Sequence, residues 1–235
     1  MRSQIFCFDK MKIECSTSHH ERLLIKNVFP LNNQRFRHIY VTMGLPGVGK
    51  SSFCEQLSHS FVQGECRMIK RDQKRMDILW DIRKEEPEKQ EEMMKNIDDL
   101  TTNAVLDEFE LAYDNPAYTG FIIDGCHTRA DATLYLLSNI RRIVKDDPSL
   151  ITVCVVGSPY SGSYYELTDQ SEGDYSGFER DGTHRTIPRC IFEKKKRELI
   201  RFLTDEENFE TMSFLIDSYM IIPSFDGRFI EVEPR

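Results

Sequence analysis

The chain has 235 residues, 40 % of them hydrophobic, and a formal net charge of −8. That length and apolar content suit one large domain with a real core. The acidic balance disfavours a protein that coats nucleic acid by bulk charge, while leaving room for a local basic groove.

Residues 1–36 carry short apolar patches such as IFCF and LLIKNVF but no motif, and read as an N-terminal extension on or beside the main domain. RHIYVTM, 37–43, is rich in β-branched and aromatic residues and reads as a buried strand. A helical pattern follows from Lys50 to about Gln63. ECRMIK reads as a second strand, and a helix is expected from Asp72 to about Trp80. Residues 81–100 hold eight acids and four bases, the signature of a solvated helix face. Helix is expected to continue to about Tyr113, and NPAYTG is a turn. FIID (121–124) and ITVCVV (151–156) read as further strands, with helical spacing over 129–146 between them. Residues 157–186, rich in Gly, Ser, Tyr and Asp, show no period and read as one long loop, functional or disordered. A basic helix is expected over 189–205, and at least one more strand in RFIEVEP. Strands alternating with helices predict an α/β fold with a mostly parallel sheet flanked by helices.

Cysteines stand at 7, 15, 54, 66, 126, 154 and 190, an odd number with no zinc-like spacing. Reduced thiols and a cytoplasmic location (host cytoplasm for a viral protein) are expected. No apolar run is long enough for a membrane span, and no signal peptide stands out.

Gly44-Leu45-Pro46-Gly47-Val48-Gly49-Lys50-Ser51 fits G-x-x-x-x-G-K-[ST] without mismatch. Glycines there let successive N–H groups face one anion, and the following helix adds its positive end. Lys50 can reach the β- and γ-phosphates, and Ser51 can hold Mg²⁺. With strand before and helix after, this predicts a P-loop NTPase domain over 37–235. Its nucleotide site comprises Gly44, Pro46, Gly47, Val48, Gly49, Lys50, Ser51 and Ser52, for ATP or GTP with Mg²⁺.

The second strand ends in KRDQKR, with Asp72 and, three residues on, Arg75. At the carboxyl end of a parallel strand, Asp72 could orient an acceptor hydroxyl and take its proton, or merely cap the helix it begins. Arg75 could hold an acidic acceptor. Asp124, after an apolar strand, could hold Mg²⁺ through water, orient the acceptor or cap a turn. His127 reads as a surface or turn histidine.

The succession GLPGVGKSSF, KRDQKR, FIIDGCH and HRTIPRCI resembles the polynucleotide 5′-hydroxyl kinases of phage and RNA repair, over roughly 37–205. The resemblance implies a kinase-type P-loop fold, Asp72 as catalytic base and Arg75 on a substrate phosphate. It also implies a lid, here about 157–188, bearing an essential arginine, for which Arg180 and Arg185 both stand. The chain departs from the family's D-T-N with Asp124-Gly125-Cys126-His127. The implied reaction moves the γ-phosphate of an NTP to the 5′-OH end of DNA or RNA, or to a hydroxylated base in phage DNA. A small-molecule kinase for a nucleoside, sugar or antibiotic, and a non-catalytic nucleotide-binding module, are the competing readings. Residues 180–201, with eight bases against three acids, could wall a groove for a phosphate backbone. ERDGT, 179–183, lacks the first Asp, the leading strand and the following length of an aspartate-based phosphatase.

Overall fold

The computed structural model describes residues 37–145, 147, 149–157, 166–167, 175–178, 184–222 and 230–232. The N-terminal extension read at 1–36 lies outside them. The elements are β1 (Arg37–Met43), α1 (Lys50–Ser58), β2 (Cys66–Lys70), α2 (Arg71–Ile82), α3 (Pro87–Lys95), α4 (Ile97–Tyr113), β3 (Gly120–Asp124), α5 (Ala130–Val144) and β4 (Leu150–Gly157). Then come β5 (Glu166–Leu167), β6 (Tyr175–Phe178), β7 (His184–Ile187), α6 (Arg189–Thr204), α7 (Glu206–Leu215), β8 (Ser218–Ile222) and β9 (Ile230–Val232).

The main sheet has the order β2-β3-β1-β4-β8-β9. Its first five strands are parallel, and β9 closes the edge antiparallel to β8. β1 is central because nearly every residue in it can be buried on both faces. Ile39, Val41 and Met43 point into a core shared with α4, α5, α6 and α7. Tyr40 points to the opposite core, with Phe53, Cys54 and Leu57 of α1. A strand hydrophobic on both sides is what a parallel sheet covered on two faces requires. From β1 the chain crosses over β3 to the edge strand β2 and then returns to β3. The P-loop, after β1, therefore sits at the carboxyl edge where strand order reverses, the place where ligands bind in open α/β sheets. The fold is the α/β P-loop fold that the sequence predicts.

Three expectations need correction. The first helix stops at Ser58, short of Gln63. The Ser58 and Ser60 hydroxyls bond back to the carbonyls of Glu55 and Leu57, and Gly64 turns the chain at φ 88°. The helical run expected through Tyr113 is three helices. Pro87 takes the first position of α3, where its missing N–H costs nothing, and the chain breaks again at Asn96. The solvated face itself is present, since α3 buries no residue and carries the i,i+4 pairs Lys89–Glu85 and Lys95–Glu91. The stretch 157–186, read as structureless, contains most of a three-stranded antiparallel sheet, β5-β6-β7. Strands of two to four residues are too short to show a period of two. The expectation of at least one more strand in RFIEVEP is met by β9, with β8 lying between it and β4.

Candidate functional site

The phosphate loop takes its shape from three glycines in left-handed or extended positive-φ conformations: Gly44 at 141°, Gly47 at 77° and Gly49 at 87°. An L-side chain at any of them would be strained. Gly49 is also the N-cap of α1 and offers no side chain to its first N–H groups. Those donors face outward with the positive end of the helix behind them, which suits a phosphate. Lys50 is buried, and its ammonium donates to the Leu45 carbonyl at 2.5 Å. Ser51 is exposed and Ser52 half-buried. Val48, fully buried, pins the loop to the sheet. Beneath it lies Gly157, the last residue of β4, where an added Cβ would meet Val48 Cγ2 at 2.5 Å. A Cβ on Gly44 would in turn meet the Gly157 backbone at 3.0–3.2 Å. Two glycines 113 residues apart thus let β4 and the loop touch through bare backbone.

The end of β3 locks onto the same loop. Gly44 N–H donates to the Cys126 carbonyl at 2.7 Å. The Thr42 hydroxyl accepts from Gly125 N–H at 3.0 Å and lies 3.3 Å from Asp124 Oδ1. Asp124 is buried and hydrogen-bonds the Cys54 thiol, one turn after Lys50. Burial first, then the Asp124 charge, push that thiol far up, against a smaller opposing pull from Lys50. Asp124 therefore lies close to Cys54 of α1, a buried carboxylate near the glycine loop.

His127 lies in the loop after β3, as a turn histidine, but it is half-buried rather than exposed. It adopts φ 41° and places Nδ1 2.6 Å from the Thr42 carbonyl, so Nδ1–H donates and Nε2 keeps its lone pair. Nε2 is enclosed, with no partner among the described residues. The ring packs on Gly125, where a Cβ would come within 2.6 Å of it. Burial, with the charges of Arg71 and Lys50, lowers its pKa to about 4, against the opposing Thr42 bond and Asp72. The imidazole is neutral at pH 7 and feels Lys50, Arg71 and Asp72 together, so it stands between the P-loop and the start of α2.

The sequence left Asp72 either a base or a cap. The cap position belongs to Lys70, which offers no side-chain bond, and Asp72 is exposed in the first turn of α2. Arg75 lies one turn further but is not free: it binds Asp98, in the first turn of α4. Arg129, before α5, reaches the same carboxylate at 3.4 Å, and Arg71 at 3.7 Å. Partial burial pushes the Asp98 carboxyl up, but the Arg75 hydrogen bond and the three guanidinium charges outweigh it and hold it below the usual range. Arg71, Arg129 and Asp98 escaped sequence reasoning because only the fold brings residues 71, 75, 98 and 129 together.

Arg129 also interacts with Asp131 and feels the charge of Glu198 on α6. Thr128 donates to that Glu198 at 3.3 Å. The basic helix therefore borders the loop after β3. Phe192, Leu199, Phe202 and Leu203 anchor it in the core, while Lys194, Arg197 and Arg201 are exposed. Of the two lid arginines, Arg180 lies outside the described residues. Arg185 belongs to β7, in register with Gly177, and its side chain is outside them.

Among the described residues, no cluster of three metal-ligating side chains exists, and no helix is long and apolar enough to cross a membrane. The five cysteines described, 54, 66, 126, 154 and 190, are free. Burial holds the thiols of Cys66 and Cys154 up at about 12.

The chain matches no protein-family model and no curated protein. Among solved structures it is similar to a chain from the characterization of the PezAT chromosomal toxin–antitoxin system of Streptococcus pneumoniae. The identity is 10 % and the TM-score 0.44, over 94 % of this chain and 82 % of that one. At that level of likeness, the fold class rests on this chain's own strand order and phosphate loop.

Proposed function

We propose that the protein transfers the γ-phosphate of ATP or GTP to a hydroxyl at the 5′ end of a nucleic-acid strand. The observation that carries this reading is the placement of Asp72. It is an exposed carboxylate, uncommitted to capping, just after the carboxyl end of β2, and its charge and that of Lys50 are both felt at His127.

The loop fits a nucleoside triphosphate on structural grounds: positive-φ glycines, an uncapped helix start and a buried ammonium. Bound there, the nucleotide supplies the phosphoryl group, and Mg²⁺ offsets its charge. Ser51 and Asp124 are the protein groups at hand for the metal; so few ligands suit Mg²⁺, which keeps waters and phosphate oxygens in its shell. Lys50 neutralises charge on the phosphates. Asp72 orients the acceptor hydroxyl and takes its proton as that oxygen attacks. Arg75, held by Asp98, presents a guanidinium to an acidic acceptor. A lid arginine, Arg180 or Arg185, adds positive charge on the transferring group. A polymer is favoured over a metabolite because Arg75 and Arg129 share Asp98, and Glu198 of the basic helix α6 meets Thr128 beside Arg129.

The test is incubation with γ-labelled ATP or GTP, Mg²⁺ and 5′-OH oligonucleotides of DNA and RNA, in parallel with Asp72→Asn. Label at the 5′ end, lost by roughly 10²–10⁴-fold in the variant, is the expected result for a removed general base. Nucleotide binding without label on any oligonucleotide would sink the polynucleotide reading. Equal labelling by the variant would remove Asp72 from the chemistry.

A further inference from the structure

α2 does not end its exposed face at Asp72. Asp72, Met76 and Trp80 follow at intervals of four residues, and Arg83 returns to the same side of the helix. Met76 is 59 % and Trp80 64 % exposed. The Arg83 guanidinium lies 5.4 Å from the centre of the indole ring. Trp80 is the chain's single tryptophan, a residue type that is highly buried on average. Two large, polarisable side chains left in water on a helix that starts at the candidate base call for an occupant.

We propose that Met76 and Trp80 form a stacking platform for the bases of a single-stranded nucleic acid whose 5′ end lies at Asp72. The proposal rests on the acceptor reading above and extends it from the reacting end to the strand behind it. An indole face is a sequence-tolerant surface for a base, and Arg83 on the ring adds a cation beside the backbone. Arg75, at the start of the stripe, is paired with Asp98, so the cation open to a backbone on this stripe is Arg83 over the indole. A protein partner or second copy would gain nothing from a stripe that begins at a catalytic carboxylate; a strand that must reach that carboxylate would. Eight residues of helix separate Asp72 from Trp80, about 12 Å along the axis. At the 3.4 Å step of a stacked strand whose first nucleotide is at Asp72, Trp80 is reached by about the fourth or fifth nucleotide.

The test uses the full chain and its own tryptophan. Emission is followed while 5′-hydroxyl oligothymidine or oligouridine of two or eight nucleotides is added, and binding is read separately by polarisation of 3′-labelled strands. The octamer is expected to quench Trp80, the dinucleotide to leave it unchanged. Trp80→Ala is expected to weaken octamer binding about 5- to 150-fold, the range of one lost base–aromatic stack, with dinucleotide binding unaffected. Trp80→Phe is expected to restore most of the loss. Octamer binding without quenching, or unchanged in Trp80→Ala, overturns the platform. Tryptophan emission already blue-shifted in the free protein and indifferent to any oligonucleotide also overturns it, since another segment or copy then covers the ring. Label transfer to the dinucleotide separates the two claims. Transfer without quenching by the octamer leaves the kinase and removes the platform; quenching without transfer does the reverse; no binding of either strand removes both.

Discussion

Gly157→Ala tests the joint between sheet and phosphate loop with a single methyl group. The new Cβ would lie 2.5 Å from Val48 Cγ2, where carbon atoms prefer about 3.5–4.0 Å. Roughly 1.0–1.5 Å of overlap must be relieved. Gly157 carries no positive φ, so the backbone accepts alanine and the whole penalty is steric. Val48 cannot absorb it, being fully buried and stiff at χ1. Overpacking of this kind costs about 1–3 kcal/mol. Because Val48 lies between Gly47 and Gly49, the relief displaces the loop itself, and nucleotide affinity falls with stability. Val48→Ala alone removes two buried methyl groups, about 1.6 kcal/mol. In the double variant the added methyl fills the space the removed ones leave. Urea unfolding at constant m, with calorimetric titration of ATP or GTP, should show the double variant more stable than the sum of the singles by at least about 1 kcal/mol. Strict additivity, or Gly157→Ala within about 0.5 kcal/mol of the parent, would refute the contact.

Two further outcomes follow from the same neighbourhood. His127 is held neutral in the fold, with a pKa lowered to about 4 from 6.5; the unfolded chain binds its proton first as pH falls. Its contribution is therefore complete above pH 6.5 and lost between there and about pH 4, a fall of about 3 kcal/mol. Urea midpoints measured across that window should decline in the parent and flatten in His127→Gln; an equal decline in both would show the histidine titrating as if free. Asp98→Asn keeps the shape but removes the charge shared by Arg71, Arg75 and Arg129. The carboxylate is 40 % exposed, so stability should change by only about 1 kcal/mol or less. On the proposed function, the acceptor KM should change several-fold with kcat nearly constant; a change in kcat alone would detach Arg75 from acceptor binding.

The parts of the site that the sequence revealed are contiguous. The phosphate loop is written in eight successive residues because its determinants are local: glycines that permit positive φ, a helix start, a lysine and a serine at fixed offsets. The parallel sheet was legible for a similar reason, since strands buried on both faces read as uninterrupted apolar runs. Asp72 became a candidate by its place after β2, but its freedom from the cap position depended on a helix beginning one residue earlier than its sequence suggested. The small sheet β5-β6-β7 was missed because its strands are shorter than the period that announces a strand.

What the tertiary structure decided are the contacts between residues far apart in the chain. Asp98 meets Arg75 and Arg129 across 23 and 31 residues, and Thr128 meets Glu198 across 70. Gly157 makes room for Val48, and His127 turns inward onto Thr42 rather than out to solvent. No local propensity marks such pairs, because each residue alone is an ordinary surface charge, strand-end glycine or turn histidine. The sequence by itself marked the glycine loop after β1 as the candidate phosphate site. The closing of β3 and β4 around that loop decided which charges share the crevice, since only packing sets the distances on which electrostatics and steric exclusion depend.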